Sequence, residues 1–64
     1  MTRINGEETD AAGRTVAEYL SSARYNAERV VVELNEEIVP KGRYADTALR
    51  DGDQLEIVCF MGGG

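Results

Sequence analysis

The 64-residue sequence contains no histidine and no tryptophan, and it has a single cysteine, Cys59. Without histidine, the most common general base and a frequent zinc ligand are both absent. One cysteine cannot form an intrachain disulfide, which fits a reducing cytoplasm. No apolar run approaches the ~20 residues that cross a bilayer, and the amino terminus does not read as a signal peptide. These absences predict a cytoplasmic protein with no bound metal or cofactor and no catalytic residues of its own.

The charge balance narrows the choice of partners. Twelve acidic and seven basic side chains give a net charge of −5. Nucleic-acid binding depends on Lys and Arg contacts to phosphate, and anionic membranes also attract basic segments. The sequence therefore predicts neither partner, and it favours protein surfaces that carry basic residues. A chain of this length forms one domain with a thin core.

Local signals in the first half predict a hairpin followed by a helix. Asn5-Gly6 favours a two-residue turn between two short strands, because both residue types tolerate positive φ. Thr15 and Glu18 have the spacing of a capping box, which begins a helix over residues 15–26. Asn26 is expected to end this helix in the left-handed conformation.

The second half predicts a second hairpin, a short turn and a final strand. The β-branched run at residues 30–32 favours a strand, and Asn35-Glu36 is the expected turn. Residues 41–49 are too short for a full helix, and we expect Tyr44 and Leu49 to lie under the sheet. In the last strand, alternation places one set of side chains inward and the other outward. The inward set is Leu55, Ile57 and Cys59, and the outward set is Glu56, Val58 and Phe60.

The order of elements predicts an α+β fold. One helix across a small mixed sheet buries the apolar faces of both, and the helix supplies the crossover that parallel first and last strands require. This arrangement is the ubiquitin-like β-grasp. We expect residues 1–60 to form the β-grasp domain and residues 61–64 to form a flexible tail that ends in three glycines.

Glycines at the end of a chain suit the delivery of a terminal carboxylate. Gly62 and Gly63 lack a Cβ, so this segment is narrow enough to thread the active site of a partner. The carboxylate of Gly64 becomes an acyl donor once ATP converts it to an acyl-adenylate. Displacement of AMP by sulfide or a persulfide leads to a thiocarboxylate, and displacement by a thiol and then an amine leads to protein conjugation. The competing interpretation is that the glycines are incidental.

Four segments of the sequence are informative together: "INGEE", "VVVELNEEIVP", "DGDQLEIV" and the terminal "GGG". Together they resemble the ThiS family of sulfur carriers in thiamine biosynthesis. The resemblance implies that Gly64 is adenylated by an E1-like enzyme (ThiF), which consumes ATP, and is converted to a thiocarboxylate. It also implies a sulfur donor such as a cysteine desulfurase, and sulfur delivery to thiazole synthase (ThiG).

Side chains near the tail have alternative interpretations. Phe60, Met61 and Val58 either form an apolar patch that docks on the adenylating enzyme or simply pack locally. Cys59 is expected to be a buried small hydrophobe rather than a sulfur relay.

Two other functions stay open at this point. One is a carrier of the same fold in another pathway, such as the small subunit of molybdopterin synthase or a carrier for cysteine biosynthesis. The other is a ubiquitin-like binding module without covalent chemistry.

Overall fold

The computed structural model describes residues 1–60, which form one α-helix packed on one face of a five-stranded mixed sheet. The strands are β1 (Thr2–Ile4), β2 (Glu7–Thr9), β3 (Val30–Leu34), β4 (Glu37–Val39) and β5 (Gln54–Cys59), and the helix is α1 (Val16–Ser22). The strand order is β2-β1-β5-β3-β4, with β1 and β5 parallel and the other neighbours antiparallel. The predicted β-grasp fold is confirmed. The predicted tail, residues 61–64, lies outside the described residues.

The first hairpin forms as predicted. Asn5 and Gly6 both have positive φ, 51° and 86°, as a tight two-residue turn requires. Ile4 lies opposite Glu7 across this turn, and β2 is an edge strand with no buried residue. The polar sequence of β2 therefore suits its position, because an edge strand has solvent on one side.

The helix begins where the capping box predicts. The hydroxyl oxygen of Thr15 accepts a hydrogen bond from the Glu18 N–H at 3.1 Å, and the Thr15 N–H donates to the Glu18 carboxylate at 2.9 Å. Each bond satisfies a backbone donor that a helix start leaves free. Val16 and Leu20 are buried and attach this helix to the sheet.

The helix ends earlier than predicted, and Asn26 does not end it. Arg24 takes the left-handed conformation instead, with φ 66°. The Tyr25 N–H donates to the Leu20 carbonyl at 2.9 Å, and the Arg24 N–H donates to the Ser21 carbonyl at 3.2 Å. These two bonds make a Schellman motif, and Tyr25 packs against the core next to it. The hydrogen bond and the packing of Tyr25 end the helix, and α1 is therefore one turn shorter than predicted.

Asn26 has a different structural role. Its φ is −89°, and its side-chain oxygen accepts a hydrogen bond from the Glu28 N–H at 2.9 Å. It therefore begins a short 3₁₀ helix, Ala27–Arg29, which leads into β3.

The second hairpin also forms on the predicted turn. Asn35 and Glu36 have φ values of 52° and 73°. Val32 pairs with Val39, and both are buried, whereas Leu34 is only partly buried. Glu36 therefore occupies a backbone conformation that favours glycine, although glutamate resists a positive φ.

The segment between the second hairpin and β5 forms a 3₁₀ helix, Lys41–Asp46, followed by extended chain. Tyr44 and Leu49 are buried, as predicted. They close the core on the same side of the sheet as α1. The buried apolar residues are Ile4, Ala11, Val16, Leu20, Val30, Val32, Val39, Tyr44, Leu49, Leu55 and Ile57.

The prediction that Cys59 is buried is wrong. Its alternation with Leu55 and Ile57 is as expected, but Cys59 is exposed. The parallel pairing with β1 extends only to Leu55, because β1 ends at the first hairpin turn. On that side, no strand among residues 1–60 lies beside Cys59, so the sheet is too narrow there to cover it.

Candidate interaction site at the end of the central strand

The central strand holds the chain in place up to the last residue before the predicted tail. β5 pairs with β3 along its length, from Leu55 opposite Leu34 to Cys59 opposite Val30. The Phe60 N–H then donates to the Arg29 carbonyl at 2.8 Å. Met61 and the three glycines follow directly in the sequence. The segment that is predicted to present the Gly64 carboxylate therefore begins at a fixed point on the domain.

Apolar side chains occupy the face of the sheet that α1 does not cover. Phe60 is 55% exposed, Val58 57% and Ile38 67%. Val31 lies directly opposite Val58 and is partly buried. Exposed apolar side chains that share one face of a sheet are a candidate interaction surface. We call Val31, Ile38, Val58 and Phe60 the outer patch.

Two carboxylates lie in register next to the outer patch. Glu33 on β3 is directly opposite Glu56 on β5, and Ile38 on β4 lies on the other side of Glu33. Glu56 is exposed and Glu33 is partly exposed. We call Glu33 and Glu56 the acidic pair. The outer face of the sheet therefore combines apolar and negatively charged side chains.

The predicted site residues are only partly within the described residues. Val58 and Phe60 point away from the core, as strand alternation predicts, while their docking role stays a prediction. Met61, Gly62, Gly63 and Gly64 lie outside the described residues, so their predicted roles also stay predictions.

Sequence reasoning missed two members of the outer patch, Ile38 and Val31. The signal was present, because the same alternation that buries Val32 and Val39 turns their neighbours outward. Their proximity to Val58 required the register of three strands, β4, β3 and β5.

The shifted pKa values among the described groups have local causes. Burial raises the pKa of the Tyr19 and Tyr44 phenols above the usual 10.0. The N-terminal amino group of Met1 donates a hydrogen bond to the Asp51 carboxylate at 2.7 Å. That bond raises the pKa of the amine above 8.0 and lowers the pKa of Asp51 below 3.8.

Within residues 1–60, no group of three or more potential metal ligands lies together, and no helix has the length and apolar character to cross a membrane. A five-stranded mixed sheet of this strand order, with one helix on one face, defines a ubiquitin-like β-grasp domain. The chain belongs to the ThiS family, whose model matches residues 2–64.

Three similar proteins illustrate this relationship. The sulfur carrier protein ThiS of Bacillus subtilis is 38% identical over 66 residues, and the match covers all of both chains. A thiazole synthase of Paramagnetospirillum magneticum is 52% identical over 62 residues, which are 95% of this chain. The crystal structure of the thiamine biosynthesis protein ThiS from Geobacter metallireducens has a TM-score of 0.78 and 39% identity, over 98% of this chain and 97% of that one.

The matched proteins differ in length. This chain spans only 19% of the Paramagnetospirillum thiazole synthase, and also 19% of a second thiazole synthase from Magnetococcus marinus. The same segment therefore occurs both as a whole small protein and as part of a much longer chain.

Proposed function

We propose that this chain is a sulfur carrier for thiazole formation in thiamine biosynthesis, with Gly64 as the residue that carries the sulfur. The observation that carries this proposal is the ThiS family match, which runs from residue 2 through the terminal glycines. Full-length similarity to a sulfur carrier protein and similarity to thiazole synthases both support it.

The proposed chemistry takes place at the terminal carboxylate of Gly64. The carboxylate attacks the α-phosphate of ATP, which forms the acyl-adenylate and releases pyrophosphate. Hydrosulfide then attacks the acyl carbon, the bond to AMP breaks, and a thiocarboxylate remains. If the sulfur arrives as a persulfide, the first product is an acyl disulfide, and a thiol must reduce it to release the thiocarboxylate.

The anchored end of β5 suits this chemistry. Backbone hydrogen bonding reaches Phe60, and the four residues from Met61 on span at most ~14 Å when extended. A carboxylate at that distance can enter the active site of a partner while the folded domain stays outside. Glycine at positions 62 to 64 keeps this segment narrow and lets its backbone follow the channel.

In this proposal the domain is a protein co-substrate rather than an enzyme. The catalytic residues belong to an E1-like adenylating enzyme (ThiF), a sulfur donor such as a cysteine desulfurase, and thiazole synthase (ThiG). Val58, Phe60 and Met61 would contact the adenylating enzyme, with Val31 and Ile38 extending the contact across the sheet. Exposure of Val58 and Phe60 at the root of the glycine segment supports that role.

The direct test is the intact mass of the protein after incubation with ATP, the adenylating enzyme encoded in the same genome and a sulfur source. We expect the mass to rise by the difference between one sulfur and one oxygen atom. Deletion of Gly64 should abolish the change. An unchanged mass of the wild type, with an active enzyme, would instead favour a non-covalent binding module.

A matched variant tests the need for a narrow segment. Gly63→Ala should fold normally but be adenylated more slowly, because the added methyl group must pass through the same channel. Adenylation of this variant at the wild-type rate would contradict the threading argument.

A further inference from the structure

The acidic pair is an unfavourable arrangement for the free domain. Glu33 and Glu56 are direct cross-strand partners on the outer face, and such partners have Cβ atoms about 5 Å apart. Like charges that face each other across a sheet destabilise it. The ion pairs among residues 1–60 are Met1–Asp51 and Arg3–Glu8. Within the described residues, no cation therefore forms an ion pair with either member of the acidic pair.

Apolar side chains border the pair on two sides. Ile38 lies beside Glu33 in the same row across the sheet, and Val31 and Val58 form the next row toward Phe60. A protein that covers the outer patch must therefore cover the acidic pair as well. Removing two carboxylates from water without a compensating charge or hydrogen bonds is strongly unfavourable.

A cation on the partner resolves this conflict. An arginine side chain suits this arrangement, because its planar guanidinium carries five donors and can bond to the carboxylates of two side chains whose Cβ atoms are about 5 Å apart. The positive charge would also remove the repulsion that the free domain contains.

We propose that the outer patch and the acidic pair together form a docking surface for a protein that places an arginine, surrounded by apolar side chains, between Glu33 and Glu56. The inference rests on the proposed function, because the occupant is the adenylating enzyme, whose active site receives the glycine segment next to Phe60. Val58 lies between the acidic pair and Phe60 on β5, so the arginine is expected about 13 Å from the root of the tail, four residues along the strand.

The inference predicts effects of opposite sign on stability and on binding. Glu33→Gln and Glu56→Gln each remove the repulsion, so each should raise the thermal unfolding midpoint of the free domain. Each should also weaken binding, since the partner's cation then lacks one carboxylate. If the two glutamates only kept the protein soluble, a variant with a higher unfolding midpoint would not also bind the partner more weakly.

The binding experiment uses the adenylating enzyme encoded in the same genome and isothermal titration calorimetry. We expect Glu56→Gln to raise the Kd about tenfold or more, and Glu56→Lys to abolish binding. Asp46→Asn is the control, because Asp46 is an exposed carboxylate on the second 3₁₀ helix, on the α1 side of the sheet. It makes the same change in net charge and should alter neither the Kd nor the unfolding midpoint.

Three outcomes would overturn the inference without affecting the proposed function. Wild-type affinity in both glutamine variants would leave the sulfur-carrier function intact but exclude the arginine contact. An equal loss of affinity in Asp46→Asn would mean that net charge, rather than the acidic pair, attracts the enzyme. A lower unfolding midpoint in both glutamine variants would show that the two carboxylates do not repel each other in the free domain, and the inference depends on that repulsion. Failure of the wild type to bind or be adenylated would instead contradict the proposed function, and the docking surface with it.

Discussion

The side chain of Asn5 takes the place of a strand beside Ile57. Its Oδ1 accepts a hydrogen bond from the Ile57 N–H at 2.8 Å, and its Nδ2 donates to the Ile57 carbonyl at 3.4 Å. The backbone N–H of Asn5 donates to the Leu55 carbonyl at 2.9 Å. Asn35 acts similarly at the other hairpin, where its Oδ1 accepts from the Gln54 N–H at 3.0 Å. Each turn asparagine therefore holds β5 as well as reversing the chain.

Substitutions at Asn5 separate these two roles. Asn5→Gly keeps the positive φ but removes the side-chain bonds, and we expect it to destabilise the domain by about 1–2 kcal/mol. Asn5→Ala adds the strain of a left-handed residue with a Cβ, which costs roughly 1 kcal/mol more. Urea unfolding measures both changes. The Ile57 amide should also exchange faster in both variants, and unchanged protection would mean that the side chain contributes only to the turn.

The second hairpin turn contains strain that can be removed. Glu36 has a φ of 73°, a conformation in which an L-residue costs about 1–2 kcal/mol. Glycine relieves this strain but loses roughly 0.5–1 kcal/mol in backbone entropy. We therefore expect Glu36→Gly to stabilise the domain by about 0.5–1 kcal/mol in urea unfolding. Glu37→Gly is the control, because it removes the same charge from β4 and should destabilise.

Substitutions in the capping box test how much it stabilises the start of the helix. Thr15→Ala removes the acceptor for the Glu18 N–H, and loss of such a cap costs about 1 kcal/mol. Thr15→Ser keeps the hydroxyl and should retain most of the stability. Chemical unfolding of the two variants measures the difference. Equal stability of the serine and alanine variants would show that the Thr15 hydroxyl contributes nothing.

The contact between the Met1 amine and Asp51 makes a pH-dependent contribution to the stability of the folded domain. Because folding raises the pKa of the amine, its stabilisation is complete below pH 8.0 and is lost as the pH rises through the folded-state pKa. Because folding lowers the pKa of Asp51, that stabilisation is complete above pH 3.8 and is lost as the pH falls through the folded-state value. Both groups are solvent-exposed, so screening keeps the effect on stability small.

Asp51→Asn tests this assignment. We expect the pKa of the Met1 amine to fall toward 8.0 in the variant, as measured by NMR titration. An amine that titrates at the same pH in both proteins would exclude Asp51 as the cause.

Much of the fold follows from signals a few residues long. The Asn5-Gly6 turn, the Thr15–Glu18 cap and the Asn35-Glu36 turn all occur where their sequences predict them. In each case the residues that carry the signal also make the bonds or adopt the backbone angles, so no distant contact is needed.

The errors arise where distant contacts matter. The helix ends at Ser22, and Arg24 rather than Asn26 takes the left-handed conformation, because Tyr25 packs on the core directly after it. Cys59 alternates with the buried residues Leu55 and Ile57 but is itself exposed, because β1 is too short to extend beside it. Neither outcome is encoded within a few residues of the position concerned.

Local residue chemistry thus specifies turns, caps and strand alternation, because those properties depend on neighbours in the chain. Long-range packing sets the register of the strands and the width of the sheet. It brings Val58 next to Val31 and Glu56 opposite Glu33, although more than twenty positions separate the members of each pair in the sequence. Those pairings depend on how five strands fit around one core, and they give the outer face its surface chemistry.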